Sequence, residues 1–213
     1  MQIAGYSDFT KRDLKNFTRV MKGYLPADMY AKQVVEKYYR VHGDVGRDNQ
    51  PCDVPENLIR TRDAAILNTV ERKIYPARLI WEFRFGPQVR FLAEDFLELH
   101  KRLCGDIYCS AGKTRDGLSY QELDEFLGKY NAILKYCPSG VYGLCPAFED
   151  LFGSLLNLAP FDTGNLLAAM TFVTKIAYFW GYVCHFEESG GENLYRFDFS
   201  DRITSRKGFV QVA

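Results

Sequence analysis

The segment NLLAAMTFVTKIAYFWGY, Asn165 to about Tyr182, is apolar nearly all round, with Lys175 its only charge. A helix on a protein surface keeps one apolar stripe and one polar face, so a helix apolar on every side has to be surrounded by other elements. No apolar run in the chain reaches the eighteen or so residues that a membrane span needs. The segment therefore predicts a central helix inside a packed helical domain.

The flanking sequence supplies helices to surround it. From Gln88 to Cys104, Val89, Leu92, Phe96, Leu99 and Leu103 recur at alternating steps of three and four, one face of an amphipathic helix. Ser119 and Glu122 form a capping box, with Leu118 and Leu123 at the positions of a hydrophobic staple, and predict a helix running to about Tyr136. Cys137 to Cys145 reads as a loop, and Pro146 as the start of a helix carrying Phe148, Leu151, Phe152 and Leu155. Nearer the N-terminus, Ser7-Asp8 caps a first helix to about Lys22, a second covers Ala27 to Arg40, and residues 41–55 form a long surface loop. Helical pattern resumes from Glu56 to Ile74, and Pro76 opens a short separate helix that stops at Gly86-Pro87. After the central helix, VCHF and LYRFDF predict a β-hairpin with Tyr195, Phe197 and Phe199 on one face and Arg196 and Asp198 on the other. The expected fold is mainly α: a bundle around a buried central helix, with a small C-terminal hairpin. Residues 1–55 form an N-terminal extension and loop, and 56–213 the core.

Charge narrows the partners. Lys plus Arg equals Asp plus Glu at 27 each, and no block of five or six like charges appears, which argues against nucleic acid and membrane surfaces as partners. The six cysteines lack C-x-x-C pairing, and with only three histidines (His42, His100, His185) no metal site is expected. Free thiols point to a reducing, cytoplasmic setting. The start of the sequence has no apolar leader core, and export into a host cell by a route that needs none fits as well.

The turn Phe161-Asp162-Thr163-Gly164-Asn165 before the central helix has two readings. A helix N-terminus leaves backbone N–H groups unpaired and carries about half a positive charge, and Gly164 would let a phosphate come close. Alternatively, Asp162, Thr163 or Asn165 caps the helix and Gly164 supplies a positive φ, with no ligand.

Here the sequence resembles a family. LELHKRLCGDIYCSAGKTRDG, Leu97 to Gly117, is similar to the first signature of the Fic family, a helix ending in H-x-x-L-F-x-D-I-Y followed by an A-G-x-x-R turn. PFDTGN falls where that family carries H-P-F-x-[D/E]-G-N-G-R between two helices. The resemblance covers about residues 88–185 and implies a Fic-like helical bundle, in a family whose members usually transfer AMP from ATP to a target hydroxyl. It also shows what is missing. The motif histidine, a general base, is matched by Ala159. The acidic magnesium ligand is matched by Thr163, with Asp162 one residue early. Gly164 and Asn165 match, but Leu166 and Leu167 replace the second glycine and the phosphate-clamping arginine. Arg115-Asp116-Gly117 runs straight into the capping box, leaving little room for the flap hairpin that docks targets.

The resemblance thus implies no catalytic residue and no metal ligand. It leaves a remnant of an anion or nucleotide site in Phe161, Asp162, Thr163, Gly164 and Asn165, with Lys113 and Arg115 the basic residues nearest in sequence. His100 is expected to be a hydrogen-bonded structural histidine. The expected role is a binding or regulatory protein that associates with itself or with a protein partner. The alternative is a transferase that uses the cleft, with ATP and magnesium, for AMP transfer or another nucleotide- or phosphate-dependent modification of a protein hydroxyl.

Overall fold

The structure, a computed structural model, describes residues 9–43, 54–85, 90, 92–136, 141–180, 182–189 and 194–201; at 85, 133–136, 141–145, 182–183, 185–189 and 194–201 it describes the backbone alone. The helices are α1 (Lys11–Met21), α2 (Ala27–His42), α3 (Ala64–Glu82), α4 (Ala93–Cys104), α5 (Tyr120–Tyr136), α6 (Val141–Leu158) and α7 (Asn165–Phe179). A 3-10 turn, Phe83–Phe85, follows α3, and the strands β1 (Tyr182–Ser189) and β2 (Leu194–Asp201) follow α7. The chain forms two compact units, Met1–Phe85 with His100–Lys113 and Gly86–Leu99 with Thr114–Ala213. Ala93–Leu99 of α4 thus belong to the second unit and His100–Cys104 to the first.

In the first unit, α1 and α2 both pack on α3 over Val20, Tyr30, Ala31, Val34, Leu67, Val70 and Ile74, all buried. Thr10 starts α1 with a full capping box: its hydroxyl accepts from the Asp13 N–H, and Asp13 accepts from the Thr10 N–H. That cap was expected at Ser7-Asp8, which lie outside the described residues.

Two prolines differ from the sequence reading. Residues 56–63 form an irregular turn, and α3 then runs unbroken through Pro76, where two helices were expected. Proline has no N–H to donate, which costs about 3 kcal/mol inside a helix. Burial of Val70, Ile74, Pro76, Ala77 and Leu79 on the same helix outweighs that at about 1.5–3 kcal/mol for each large side chain. Pro146 likewise lies inside α6, so residues 141–145 are helical where a loop was expected.

In the second unit, α6 packs between α5 and α7, β1 lies on α7 and β2 on α6. Phe96 of α4 stands at the centre, its ring 5.2 Å from Phe161 and 4.8 Å from Phe172. Ala168, Phe172, Val173 and Ile176 of α7 are buried, as a central helix requires. The helix stops at Phe179 rather than Tyr182, which pairs in β1. The hairpin is antiparallel, with Cys184 opposite Phe199 and Phe186 opposite Phe197. The capping box opening α5 is present: Glu122 accepts from the N–H and hydroxyl of Ser119 (2.8 and 2.7 Å), and the Glu122 N–H donates to the Ser119 hydroxyl. The Ser119 N–H, then its hydroxyl, hold the Glu122 carboxyl below the usual range.

Candidate functional site

The turn between α6 and α7 is shaped first by its backbone. Ala159, just past the end of α6, has φ 42, and Gly164, the N-cap of α7, has φ 70. Glycine adopts that region freely and alanine does not. Between them Pro160 and Phe161 are buried, Thr163 is half-buried and Asp162 is exposed.

Asn165 closes the turn. Its Nδ2 donates to the Phe161 carbonyl at 2.7 Å, and its Oδ1 accepts from the Phe161 N–H at 2.9 Å. One amide thereby satisfies both backbone groups of a buried residue. The N-cap of α7 is Gly164, which has no side chain to cap with, so the N-cap position falls to none of Asp162, Thr163 and Asn165.

Arg115 reaches the same turn from the other side. Its Nε donates to the Ala159 carbonyl at 2.8 Å and its Nη2 to the Leu158 carbonyl at 3.4 Å, while its N–H donates to the Pro160 carbonyl at 2.9 Å. These are carbonyls at the C-terminal end of α6, where the helix dipole favours a cation. Arg115 is thus tied to the start of the turn at Ala159 and Pro160, and Asn165 to its middle at Phe161. Leu166, the second residue of α7, is 37% exposed, and Leu167 is half-buried. Lys113 is exposed and belongs to the first unit.

In that unit His100 is buried, and its Nδ1 accepts from the Gly112 N–H at 3.0 Å, which leaves the ring proton on Nε2. Gly112 has φ 82. The histidine therefore fixes the A-G-x-x-R turn by a backbone hydrogen bond.

A polar seam beneath that turn escaped sequence reading. Glu71, Tyr75, Arg78 and Glu82 recur at helical spacing along one face of α3. Tyr75 and Tyr108 both donate to Glu71 Oε1, at 2.8 and 2.6 Å, and Tyr75 shares a hydrogen bond with Cys104. Arg78 pairs with Asp106, and Arg102 pairs with Glu82 through two nitrogens, at 2.6 and 3.2 Å. Burial pushes the Cys104 thiol up to about 12 and the Tyr75 and Tyr108 hydroxyls well above their usual range, which makes them inert holding groups. Since α3 also carries Asn68, Thr69, Arg72 and Lys73, no pattern in the sequence set Glu71, Tyr75, Arg78 and Glu82 apart. Among the described residues no group of three or more His, Cys, Asp or Glu is placed to hold a metal, and no helix is long and apolar enough to cross a membrane.

Among solved structures the chain is similar to the BepC protein of Bartonella tribocorum, a VirB-translocated effector with a Fic domain, solved with bound AMPPNP. The two share 16% of their sequence with a TM-score of 0.57, over 64% of this chain and 78% of that one. No family model matches the sequence, and no curated protein does. The likeness gives the chain a mainly helical, Fic-like fold.

Proposed function

We propose that this chain is a Fic-like protein that does not transfer AMP by that family's mechanism and acts by binding, as a regulatory or partner subunit. One observation carries the reading: two polar side chains at the turn, Asn165 and Arg115, are closed on its backbone. Asn165 is clamped on Phe161, and Arg115 is held by the carbonyls of Leu158 and Ala159. Ala159, at the position of the motif histidine, has no group that takes a proton. Thr163 offers magnesium one neutral hydroxyl, Asp162 is exposed to solvent, and Leu167 gives a phosphate nothing to bind. The residues present do not fit magnesium ATP, and no chemical step is assigned to it.

The test is incubation of the chain with labelled ATP, magnesium and cell extract, beside a variant with the motif rebuilt by Ala159→His, Thr163→Glu, Leu166→Gly and Leu167→Arg. Label is expected on no protein with the natural chain; label transferred by it at a rate above background defeats the reading.

A second reading has its own support. The α7 N-terminus opens on Gly164 without a side-chain hydrogen bond to it, and BepC was solved with AMPPNP. Both favour a nucleotide- or phosphate-dependent transferase on the same fold. Saturable micromolar binding of ATP by calorimetry would put this reading first.

A further inference from the structure

The face of α2 that is buried along Ala27, Tyr30, Ala31 and Val34 continues, by helical spacing, to Tyr38, Val41 and His42. There it emerges: Val41 is 63% exposed, and Tyr38 and His42 are half-buried. A core-type stripe thus runs off the end of the packed region with an apolar side chain at its centre. Cations surround it. Lys37 Nζ lies 5.6 Å from the centre of the Tyr38 ring, and the other side of the stripe carries Tyr39 with the Arg60 guanidinium 5.7 Å from its ring. His42 stacks on Tyr38 at 5.8 Å. Glu36, the acidic residue of this part of α2, lies by helical spacing on the opposite face, 3.9 Å from Arg40.

Arg60 is set in place at a cost. Its φ is 58, a left-handed conformation uncommon for a long side chain. The buried Asn57 enforces it: Nδ2 donates to the carbonyls of Pro55 and Thr61, both at 2.9 Å, and Oδ1 accepts from the Thr61 N–H. The neighbouring Ile59 is fully buried. Backbone strain that the surroundings maintain beneath an exposed cation points toward recognition, because a held backbone loses less freedom on binding.

We propose that the last turn of α2 together with Arg60 is a docking surface for an acidic peptide segment of a partner protein, with an apolar residue on Val41 and carboxylates on Lys37 and Arg60. Charge complementarity selects this occupant. The surface uses none of the residues before α7, so it stands or falls separately from the reading of that turn.

Fluorescence anisotropy with a labelled glutamate–tyrosine copolymer, titrated with the full chain, tests it. Saturable binding is expected, weakened about tenfold or more by Lys37→Glu with Arg60→Glu, weakened also by Val41→Asp, and reduced by salt. Arg60→Gly separates recognition from folding: it relieves the backbone and raises Tm while weakening the copolymer, whereas a purely structural arginine would lower Tm and leave affinity unchanged. Unaltered affinity in the charge-reversed protein overturns the location. Residues 44–53, which follow α2, include Asp44, Asp48 and Asp53. Binding seen only after Asp44→Asn, Asp48→Asn and Asp53→Asn gives the surface to the chain's own loop and overturns the partner assignment, as does an absence of binding in both proteins. Oligothymidine held as tightly as the copolymer overturns it in favour of nucleic acid.

Discussion

Ala159 sets the bend between α6 and α7 with a φ of 42. Its left-handed backbone costs alanine about 1 kcal/mol relative to glycine. Ala159→Gly is therefore expected to raise stability by about 0.5 kcal/mol in urea unfolding, the entropy gained by the unfolded glycine offsetting part of the relief; a loss of 1 kcal/mol or more would show that the conformation is not a constraint. Histidine visits this region more readily than most residues, so the rebuilt motif is expected to fold. Asp13 is the other residue whose role is sharply defined. Burial raises its carboxyl, but the Lys73 ammonium and the Thr10 donors outweigh that and leave it below the usual 3.8. A depressed acid stabilises the fold above its unfolded pKa and ceases to as pH falls through the folded one. Asp13→Asn is expected to cost about 2–3 kcal/mol at neutral pH, somewhat less than breaking a fully buried pair. The difference from the natural chain should shrink in urea melts below about pH 4. A difference that stays constant to pH 2 would assign the cost to packing instead.

At the scale of elements, local signals were legible and partner-dependent ones were not. The Ser119–Glu122 box needs only residues three apart, so it could be read from the sequence and is present. Pro76 was misread because the proline rule describes a helix alone, whereas α3 is covered by α1 and α2. The polar seam on α3 was invisible for a related reason: Arg78 and Glu82 read as ordinary surface charges until Asp106 and Arg102 are known to face them. That seam makes a prediction. Burial raises the Asp106 carboxyl, and Arg78, pulling it down, does not fully compensate. A raised folded pKa means that Asp106 favours the fold most below its unfolded pKa and less as pH rises through the folded one, opposite to Asp13. At neutral pH the pair is thus weak as a net stabiliser but costly to break. Asp106→Asn is expected to lose about 2–3 kcal/mol by leaving the half-buried Arg78 without its counter-charge, while Arg78→Met with Asp106→Leu stays within about 1 kcal/mol of the natural chain. Equal losses in the single and double variants would refute this account.

For the whole molecule, the central helix was the most informative reading, since its all-round apolarity dictated a helical surround and its neighbours Phe96 and Phe161 fill that role. Of the turn before α7 the residues were legible; where Arg115 and Asn165 point was not, because both are held by carbonyls that only the folded chain brings near. A likeness at 16% identity carries the path of the backbone alone, and on the proposed reading Ala159, Thr163 and Leu167 leave a triphosphate few groups to hold it. Mass action converts that into a measurement. A ligand at a thousandfold excess over its Kd stabilises a protein by about 4 kcal/mol, which for a chain of this size raises Tm by roughly 8–16 °C. Millimolar AMPPNP with magnesium is therefore expected to leave the Tm of the natural chain within about 1 °C, and to raise that of the rebuilt variant by several degrees. A rise of several degrees in the natural chain would mean that the α7 N-terminus alone grips the phosphates, and the transferase reading would then take precedence.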